Sequence, residues 1–339
     1  MKVTLRDIAA RTGYSVNTVS HALAGKTDIS EATRREITRV ASEMGYIRNT
    51  AASGLRSGRS RTIALILSDM ANPHFTIMFR GIEAFFRKKA YTVFVLNTDE
   101  DPDIECAAIR AALAQSADGI LLCPAVGDEK NIAYLQKAGV PFCLIGRRVE
   151  GFEDVDYVVC DDEAGGYLAA THLLERGHRR LAFFNGDERI SSARERLNGG
   201  RRALREHGLE LSDRHVLSLS VRSGSNAARM RTFFEENPDI SGLIAFSDLL
   251  AFEAICVLEE MGRHVPDSLS IVGFDNICSD FPLSPPLCSV SVSKKTIATT
   301  AAKLIWDRIE GNALPISHII LPTKLIERKT VSIKEGVTS

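Results

Sequence analysis

The chain has 339 residues, of which 45% are hydrophobic and 25% are charged. This length is too great for one ordinary domain and suits two or three, and the composition is that of a folded globular protein. No apolar run approaches the ~20 residues that a membrane-spanning helix needs, and the N-terminus lacks the apolar stretch of a secretory signal. We therefore expect neither export nor membrane insertion, and we predict a cytoplasmic location.

The formal net charge of −1 conceals an uneven distribution of charge along the chain. Residues 1–61 hold 11 Lys and Arg but only five Asp and Glu, so the remainder of the chain is acidic. A basic N-terminal segment on an acidic body is typical of a protein whose N-terminal segment contacts a polyanion such as DNA. The seven cysteines form no C-x-x-C pair, which favours reduced, buried thiols over a disulfide framework.

The first 46 residues predict three short helices. Thr4 and Asp7 show the pattern of a capping box at the start of the first helix. Ser15 precedes a second helix over Val16–Leu23, and a third, longer helix follows Ser30. Two helices joined by a short glycine-containing turn are the helix-turn-helix arrangement, in which the second helix can enter a major groove.

The exposed face of the second helix carries short side chains that can reach base edges. Asn can pair bidentately with adenine, His can donate to guanine, and Val can pack on a thymine methyl group. The alternative is a small helical bundle that contacts protein, which the basic charge of this segment disfavours. The expected DNA contacts in this segment are Thr4, Ser15, Val16, Asn17, Thr18, Ser20 and His21.

From Thr62 onward, short apolar runs alternate with stretches of helical periodicity. The apolar runs are TIALIL, YTVFVL, GILLC, PFCLIG, DYVVC, RRLAFF, HVLSLS, SGLIAF, LSIVGF and HIILPTKLI. Fully apolar strands that alternate with helices predict parallel sheets covered on both faces, and so many units exceed one sheet. We therefore predict an all-α head and an α/β core of two doubly wound lobes, with a ligand cleft at the carboxyl ends of the strands.

The segment VTLRDIAARTGYSVNTVSHALAGKTDISEATRREITRVASEMGYIRN resembles the DNA-binding head of the LacI-type (lactose and purine repressor) family. The resemblance continues through NTAASGLRSGRSRTIALILSDMANPHF, HLLERGHRRLAFFNG, SARERLNGG and LSIVGFDN, in one order and over essentially the whole chain. It implies a two-lobed, periplasmic-binding-protein-like core. The implied boundaries are a helix-turn-helix head at 1–46, a hinge at 47–61 and a ligand-binding and dimerisation core at 62–339, with lobe 1 at about 62–161 and 292–322 and lobe 2 at about 162–291 and 323–330.

The resemblance implies that the linker at 47–61 becomes a hinge helix on DNA. A leucine from each of two subunits then wedges between base steps of the minor groove, and Leu55 occupies the matching position. Arg48 stands where a proline is common in the family, and Gly54 costs ~1 kcal/mol of helix propensity relative to Ala, so we expect the free hinge to be disordered. The alternative is a disordered tether in which Leu55 makes no contact with DNA. The expected hinge contacts with DNA are Asn49, Ala52, Leu55 and Arg56.

The resemblance also implies a ligand site in the cleft. Arg196 and Asp275 match the family's ligand-binding Arg and Asp, and together they offer donors and acceptors for hydroxyl groups or a planar polar ring. The alternative is a structural salt bridge between them. Cys160 and Val221 replace an acidic and an aromatic contact of purine-type members, which favours a sugar or sugar phosphate. The full set of expected ligand contacts is Asn72, His74, Phe75, Ser192, Arg196, Phe246 and Asp275, with either Phe as a stacking surface.

The sequence contains no nucleophile elbow, Walker loop or H-E-x-x-H motif, so we expect no enzyme activity, no cofactor and no metal site. Asp161 and Asp162 are interpreted as a crossover between lobes with a helix cap. The predicted protein is a nucleoid-associated transcription regulator of the repressor type. It binds a pseudo-palindromic operator as a homodimer, under control of a small effector. The rival is a sugar-binding transport component, or an enzyme, that carries a helical head.

Overall fold

The computed structural model describes residues 3–47, 58–126, 129–222, 224–280, 283–312 and 314–334. They divide into two compact units, with the boundary between Ser60 and Arg61. The expected hinge contacts Asn49, Ala52, Leu55 and Arg56, together with Arg48 and Gly54, lie outside the described residues. No helix in the described part of the chain is long and apolar enough to cross a membrane.

The described part of the N-terminal unit contains the predicted helix-turn-helix. Its helices are α1 (Leu5–Thr12), α2 (Val16–Leu23) and α3 (Glu31–Glu43). The capping box is present, since Thr4 Oγ1 accepts from the backbone N–H of Asp7 and the Asp7 carboxylate accepts from the backbone N–H of Thr4. Ser15 and Ser30 cap the next two helices through their hydroxyl groups. These caps fix where each helix begins and therefore how α2 is presented.

The three helices enclose a small apolar core. Ile8, Val19 and Ile37, one from each helix, are fully buried in its centre. Val19 and Ala22 of α2 are buried in this core, whereas Val16 and Asn17 of the same helix remain exposed.

The C-terminal unit alternates strands and helices, as the sequence predicts. The first lobe begins with β1 (Thr62–Leu67), α4 (Pro73–Arg87), β2 (Thr92–Asn97), α5 (Pro102–Ala114), β3 (Gly119–Leu122), α6 (Glu129–Ala138), β4 (Phe142–Ile145) and β5 (Tyr157–Cys160). The second contains α7 (Asp162–Glu175), β6 (Leu181–Asn185), α8 (Ser191–Glu206), β7 (Val216–Ser218), α9 (Ala227–Glu236), β8 (Gly242–Ala245), α10 (Asp248–Glu260), β9 (Ser270–Phe274) and β10 (Cys288–Ser291). The chain then forms α11 (Lys294–Ile309), β11 (His318–Leu321) and β12 (Lys324–Ile326).

Two six-stranded sheets form the two lobes, in the orders β11-β5-β4-β3-β1-β2 and β12-β10-β9-β8-β6-β7. Among the described strands, the pairing of β10 with the edge strand β12 is antiparallel and all the others are parallel. The apolar run HIILPTKLI forms two strands, β11 and β12, in different sheets and not one unit. The sequence pattern also missed β10, because its serines dilute the apolar signal.

The chain passes between the lobes three times, after β5, β10 and β11. In each sheet the strands at these crossings lie side by side at one edge. The loops that follow the other strands face the opposite lobe, which is the arrangement that builds a ligand cleft.

Two helices of the second lobe, α7 and α8, approach so closely that glycine is required at their contact. A Cβ on Gly199 would overlap the carbonyl oxygen of Glu163, and a Cβ on Gly166 would overlap the carbonyl oxygen of Arg196. This backbone contact fixes the first two turns of α8, which carry Ser192 and Arg196.

Candidate functional site

A cavity of about 50 Å³ lies between the two lobes, at the carboxyl ends of their strands. The structure brings all seven expected ligand contacts to its wall. It also places there six residues that the sequence analysis did not select as ligand contacts: Asp69, Glu100, Cys123, Gly146, Arg147 and Val221. Cys160 is buried beneath this site and donates from its thiol to Asp162 over 3.5 Å.

The first lobe contributes the start of α4. Asn72 caps this helix, because its Oδ1 accepts from the backbone N–H of His74 at 2.9 Å, and Pro73 occupies the first helical position. His74 and Phe75 follow in the first turn and are both buried. Burial lowers the pKa of His74 to about 4, so the ring is neutral near pH 7.

The second lobe places Asp275 opposite that helix, with its Oδ1 3.3 Å from His74 Nδ1. The backbone of Asp275 has a φ of 102° and that of Asn276 a φ of 52°, values that residues with a side chain rarely adopt. Lys294 of α11 is 5% exposed, and its ammonium donates to the carbonyl oxygens of Asp275 at 2.7 Å and Asn276 at 3.2 Å. A buried cation therefore holds the strained loop that presents Asp275 to the cavity.

Arg196 is bound within its own lobe. Its Nε donates to Asp162 at 2.7 Å, and its Nη1 donates to the carbonyl oxygen of Phe246. The guanidinium also lies over the ring of Phe274, 3.5 Å from the centroid. Burial works against this charge, but the carboxylates of Asp162 and Asp275 together raise the pKa of Arg196.

The salt bridge considered above between Arg196 and Asp275 is therefore not the one that forms. Arg196 pairs with Asp162, whereas Asp275 faces His74. Asp161 is the helix cap, as expected, since it accepts from the backbone N–H of Ala164. Asp162 has a separate role that the sequence analysis missed, because it fixes the guanidinium at the cavity wall.

A second buried ion pair, Glu100 with Arg147, lines the same cavity. Two hydrogen bonds of 2.7 Å join the guanidinium to the two carboxylate oxygens, and Arg147 also donates to the carbonyl oxygen of Pro124 at 3.0 Å. Both side chains are nearly buried. The sequence gives no local signal for this pair, since 47 residues separate its members.

Partly exposed ion pairs join the two lobes outside the cavity. Arg148 pairs with Glu195 at 2.8 Å and Arg194 with Glu150 at 2.6 Å, beside a second cavity of about 200 Å³. On the far side from the crossings, Arg222 lies 3.5 Å from Asp99.

The expected DNA contacts lie on the outer side of the N-terminal unit. Val16 is 42% exposed, Thr4, Ser15 and Asn17 are also exposed, and Thr18, Ser20 and His21 are half-buried. The Ser15 hydroxyl accepts from the backbone N–H of Thr18, so this oxygen is already engaged as a cap.

His21 is also engaged within the head. Its Nδ1 lies 2.6 Å from Asp28 Oδ2, and its Nε2 lies 3.4 Å from Lys26 Nζ. The bond from His21 lowers the pKa of Asp28. A neutral His21 that donates from Nδ1 to Asp28 can only accept at Nε2, so donation to guanine would require the protonated ring.

Comparisons with known proteins agree with this architecture. The family model described as bacterial regulatory proteins, lacI family, matches residues 4–49. The model described as periplasmic binding proteins and sugar binding domain of the LacI family matches residues 60–329. The HTH-type transcriptional regulator CelR of Thermobifida fusca is 33% identical over 334 residues, which cover 96% of this chain and 98% of the relative.

Two solved structures extend the likeness to three dimensions. A complex of the transcriptional regulator CelR with cellobiose matches at 31% identity with a TM-score of 0.74, and the match covers 97% of this chain and 100% of that one. The lac repressor dimer, bound to operator and the anti-inducer ONPF, shares the fold with a TM-score of 0.84 at 23% identity, over 98% of this chain and 100% of that one.

The two family models follow each other in the order that the fold requires, and together they cover most of the chain. The match of the head to the regulator model, and the full-length match to a transcription regulator, exclude the rival interpretations of a transport component and of an enzyme. The protein therefore belongs to the LacI family of bacterial DNA-binding transcription regulators, a family that is not enzymatic.

Proposed function

We propose that this regulator is a repressor whose affinity for its operator is set by a sugar held between its two lobes. The observation that carries the proposal is the convergence of seven expected ligand contacts on one interlobe cavity. The CelR relative is solved with cellobiose, which supports a sugar effector. In the proposed division of the chain, residues 1–46 bind DNA, residues 47–61 form the hinge, and residues 62–339 bind the effector and dimerise. The proposed location is the cytoplasmic nucleoid, where the operators lie.

The chemistry of the cavity suits a ring that carries several hydroxyl groups. The lobes would have to open for such a ring to enter, because the cavity of about 50 Å³ is smaller than the ~300 Å³ of a small ligand site. The carboxylate of Asp275 accepts hydrogen bonds, the amide of Asn72 and the hydroxyl of Ser192 do both, and the guanidinium of Arg196 donates. Phe75 and Phe246 supply apolar surface for the face of a sugar ring.

Effector binding would change the angle between the lobes and hence the spacing of the two hinges in a homodimer. The lac repressor structure is a dimer on its operator, which supports the same assembly for this chain on a pseudo-palindromic site. A coupling of ~1–3 kcal/mol between the two sites suffices for a useful switch.

We predict that Asn17→Ala lowers affinity for the cognate operator by ~1–3 kcal/mol, because an exposed amide on α2 reads a base edge. The operator is first selected from a random DNA pool with the wild-type protein, and affinities are then measured by gel shift at fixed salt. Ser42→Ala, an exposed change on α3, is the control and should have no effect. An equal loss on selected and random DNA would assign Asn17 to the phosphate contacts, and failure to enrich any sequence would overturn specific DNA binding.

Leu55→Ala should weaken operator binding and reduce operator bending, while effector affinity stays unchanged. The reason is that an apolar wedge repays the unstacking of a base step, at ~a few kcal/mol, by holding the DNA bent. Energy transfer between dyes at the two ends of the operator measures the bend. Ile333→Ala, which removes an exposed apolar side chain of the core, is the control. If the Leu55→Ala variant bends the operator as much as the wild type does, the hypothesis that Leu55 inserts between base steps is wrong.

A further inference from the structure

The arginines of the described cleft wall are already neutralised by carboxylates of this chain. Arg147 is bonded through both terminal nitrogens to Glu100, and Arg196 is bonded to Asp162. Arg196 has little freedom to turn away, because it lies against the ring of Phe274. A phosphate group would need to compete with Glu100 for the terminal nitrogens of Arg147, and at Arg196 it would meet a positive charge that Asp162 already balances.

The rim of the cleft repeats this pattern. Arg148 and Arg194 are paired with Glu195 and Glu150 from the opposite lobe. Arg189, which lines the outer cavity, is bonded through two nitrogens to Asp187. The rim therefore presents no excess of positive charge that would attract an anion.

Two carboxylates of the cavity wall, in contrast, form no direct ion pair with a Lys or Arg side chain of the described residues. They are the carboxylates of Asp69 and Asp275. Lys294 contacts the backbone of Asp275, and the neutral ring of His74 is the group that faces its carboxylate. The fixed charge around the cavity is therefore negative.

We propose that the cleft accepts an uncharged polyhydroxy ligand and rejects its phosphorylated counterpart, and that Glu100 is the residue that determines this specificity. The inference deepens the proposed function, on which it rests. Hydroxyl groups can donate to Asp275 and Asp69, whereas a phosphate dianion offers only acceptors and would repel both carboxylates at close range. Glu100 adds to the exclusion because it binds both terminal nitrogens of Arg147 and balances the charge of this guanidinium.

The test compares matched sugars on the full-length protein by thermal shift and calorimetric titration. The probes are glucose, ribose and cellobiose, each beside its terminal phosphate ester, within a wider panel of uncharged mono- and disaccharides. At least one uncharged sugar should bind, and its phosphate ester should bind ~100-fold more weakly, since like charges in contact cost several kcal/mol.

Glu100→Gln keeps the shape of the side chain and frees the charge of Arg147. We expect the preference for the uncharged sugar to fall by at least ~tenfold. Asp103→Asn makes the same charge change at an exposed position three residues away and should leave the preference unaltered. The double variant Glu100→Gln/Arg147→Gln should restore the preference, and it also covers the case in which the single variant is too unstable to assay.

Equal or tighter binding of a phosphate ester to the wild type would overturn the proposal, as would an unchanged preference in Glu100→Gln. Failure of every uncharged sugar in the panel would overturn it too. Operator selection separates this failure from that of the proposed function, because the head can select DNA without any effector. A protein that enriches an operator but binds no uncharged sugar keeps its role as a regulator and loses the inferred effector class.

Discussion

Replacement of Arg196 by alanine is expected to lower the free energy of unfolding of the core by about 3–5 kcal/mol and to abolish effector binding. Asp162, the partner of Arg196, is 2% exposed, so removal of the guanidinium leaves a carboxylate in a low-dielectric site without a counter-charge. The stacking contact with Phe274 is lost in the same step.

Urea unfolding of the full chain, followed in the transition of the core, measures this effect. Asp162→Ala should cost a similar amount, and the double variant should cost clearly less than the sum, because each single change already breaks the same pair. Arg202→Ala is the matched control on the same helix, since Arg202 pairs with Glu163 on the surface and should cost ~0–1 kcal/mol. Strictly additive losses in the cycle would contradict a coupled pair.

A variant at Asp275 is expected to separate the effect on effector binding from the effect on the free energy of unfolding. Because no Lys or Arg among the described residues pairs with its carboxylate, Asp275→Asn should remove effector binding with much less effect on unfolding than Arg196→Ala. A large stability loss in Asp275→Asn would show that this carboxylate is structural.

Gly199→Ala is expected to destabilise the second lobe by about 3 kcal/mol, the upper part of the usual range for overpacking. In an unpacked helix the same change stabilises by ~1 kcal/mol, so the packing reverses the sign. The cause is the carbonyl oxygen of Glu163 in α7, which lies where the new methyl group would stand. Backbone atoms of a helix cannot rotate aside as a side chain can.

The neighbouring position supplies the control for that experiment. Asn198 is exposed on the same helix, so Asn198→Ala should change the free energy of unfolding by less than ~0.5 kcal/mol. Hydrogen exchange along α7 and α8 should show where the Gly199 variant opens. A Gly199→Ala protein as stable as the wild type would mean that the two helices can separate without loss.

The sequence alone predicts those structural features whose determinants lie within a few residues of one another. The caps at Thr4, Ser15 and Ser30 depend on residues within one turn, so each helix start in the head was predictable. The parallel strands of the core were predictable for the same reason, since a strand buried on both faces must be apolar throughout. β10 escaped because its serines bond to groups outside the strand, as Ser289 does with Asp248.

The ion pairs of the cleft could not be predicted from the sequence, because their members are far apart in the chain and meet only in the folded structure. Glu100 and Arg147 are 47 residues apart, and Asp162 and Arg196 are 34 residues apart. Family resemblance directed attention to Arg196 and Asp275 as residues that act together. The structure instead gives Arg196 a partner on its own lobe and leaves Asp275 to face the other lobe.

The three crossings lie at one edge of the two sheets, so a rotation of one lobe against the other would have its axis at that edge. Neighbouring strands are spaced ~4.8 Å apart, so the four steps from β5 to β2 set the free edge ~19 Å from the pivot. A rotation of ~10° about the pivot then moves that edge by ~3 Å, which is enough to part an ion pair. Asp99 after β2 and Arg222 after β7 meet at this free edge over 3.5 Å. Among the interlobe ion pairs described above, this contact lies farthest from the crossings, so a rotation of one lobe against the other would separate it first.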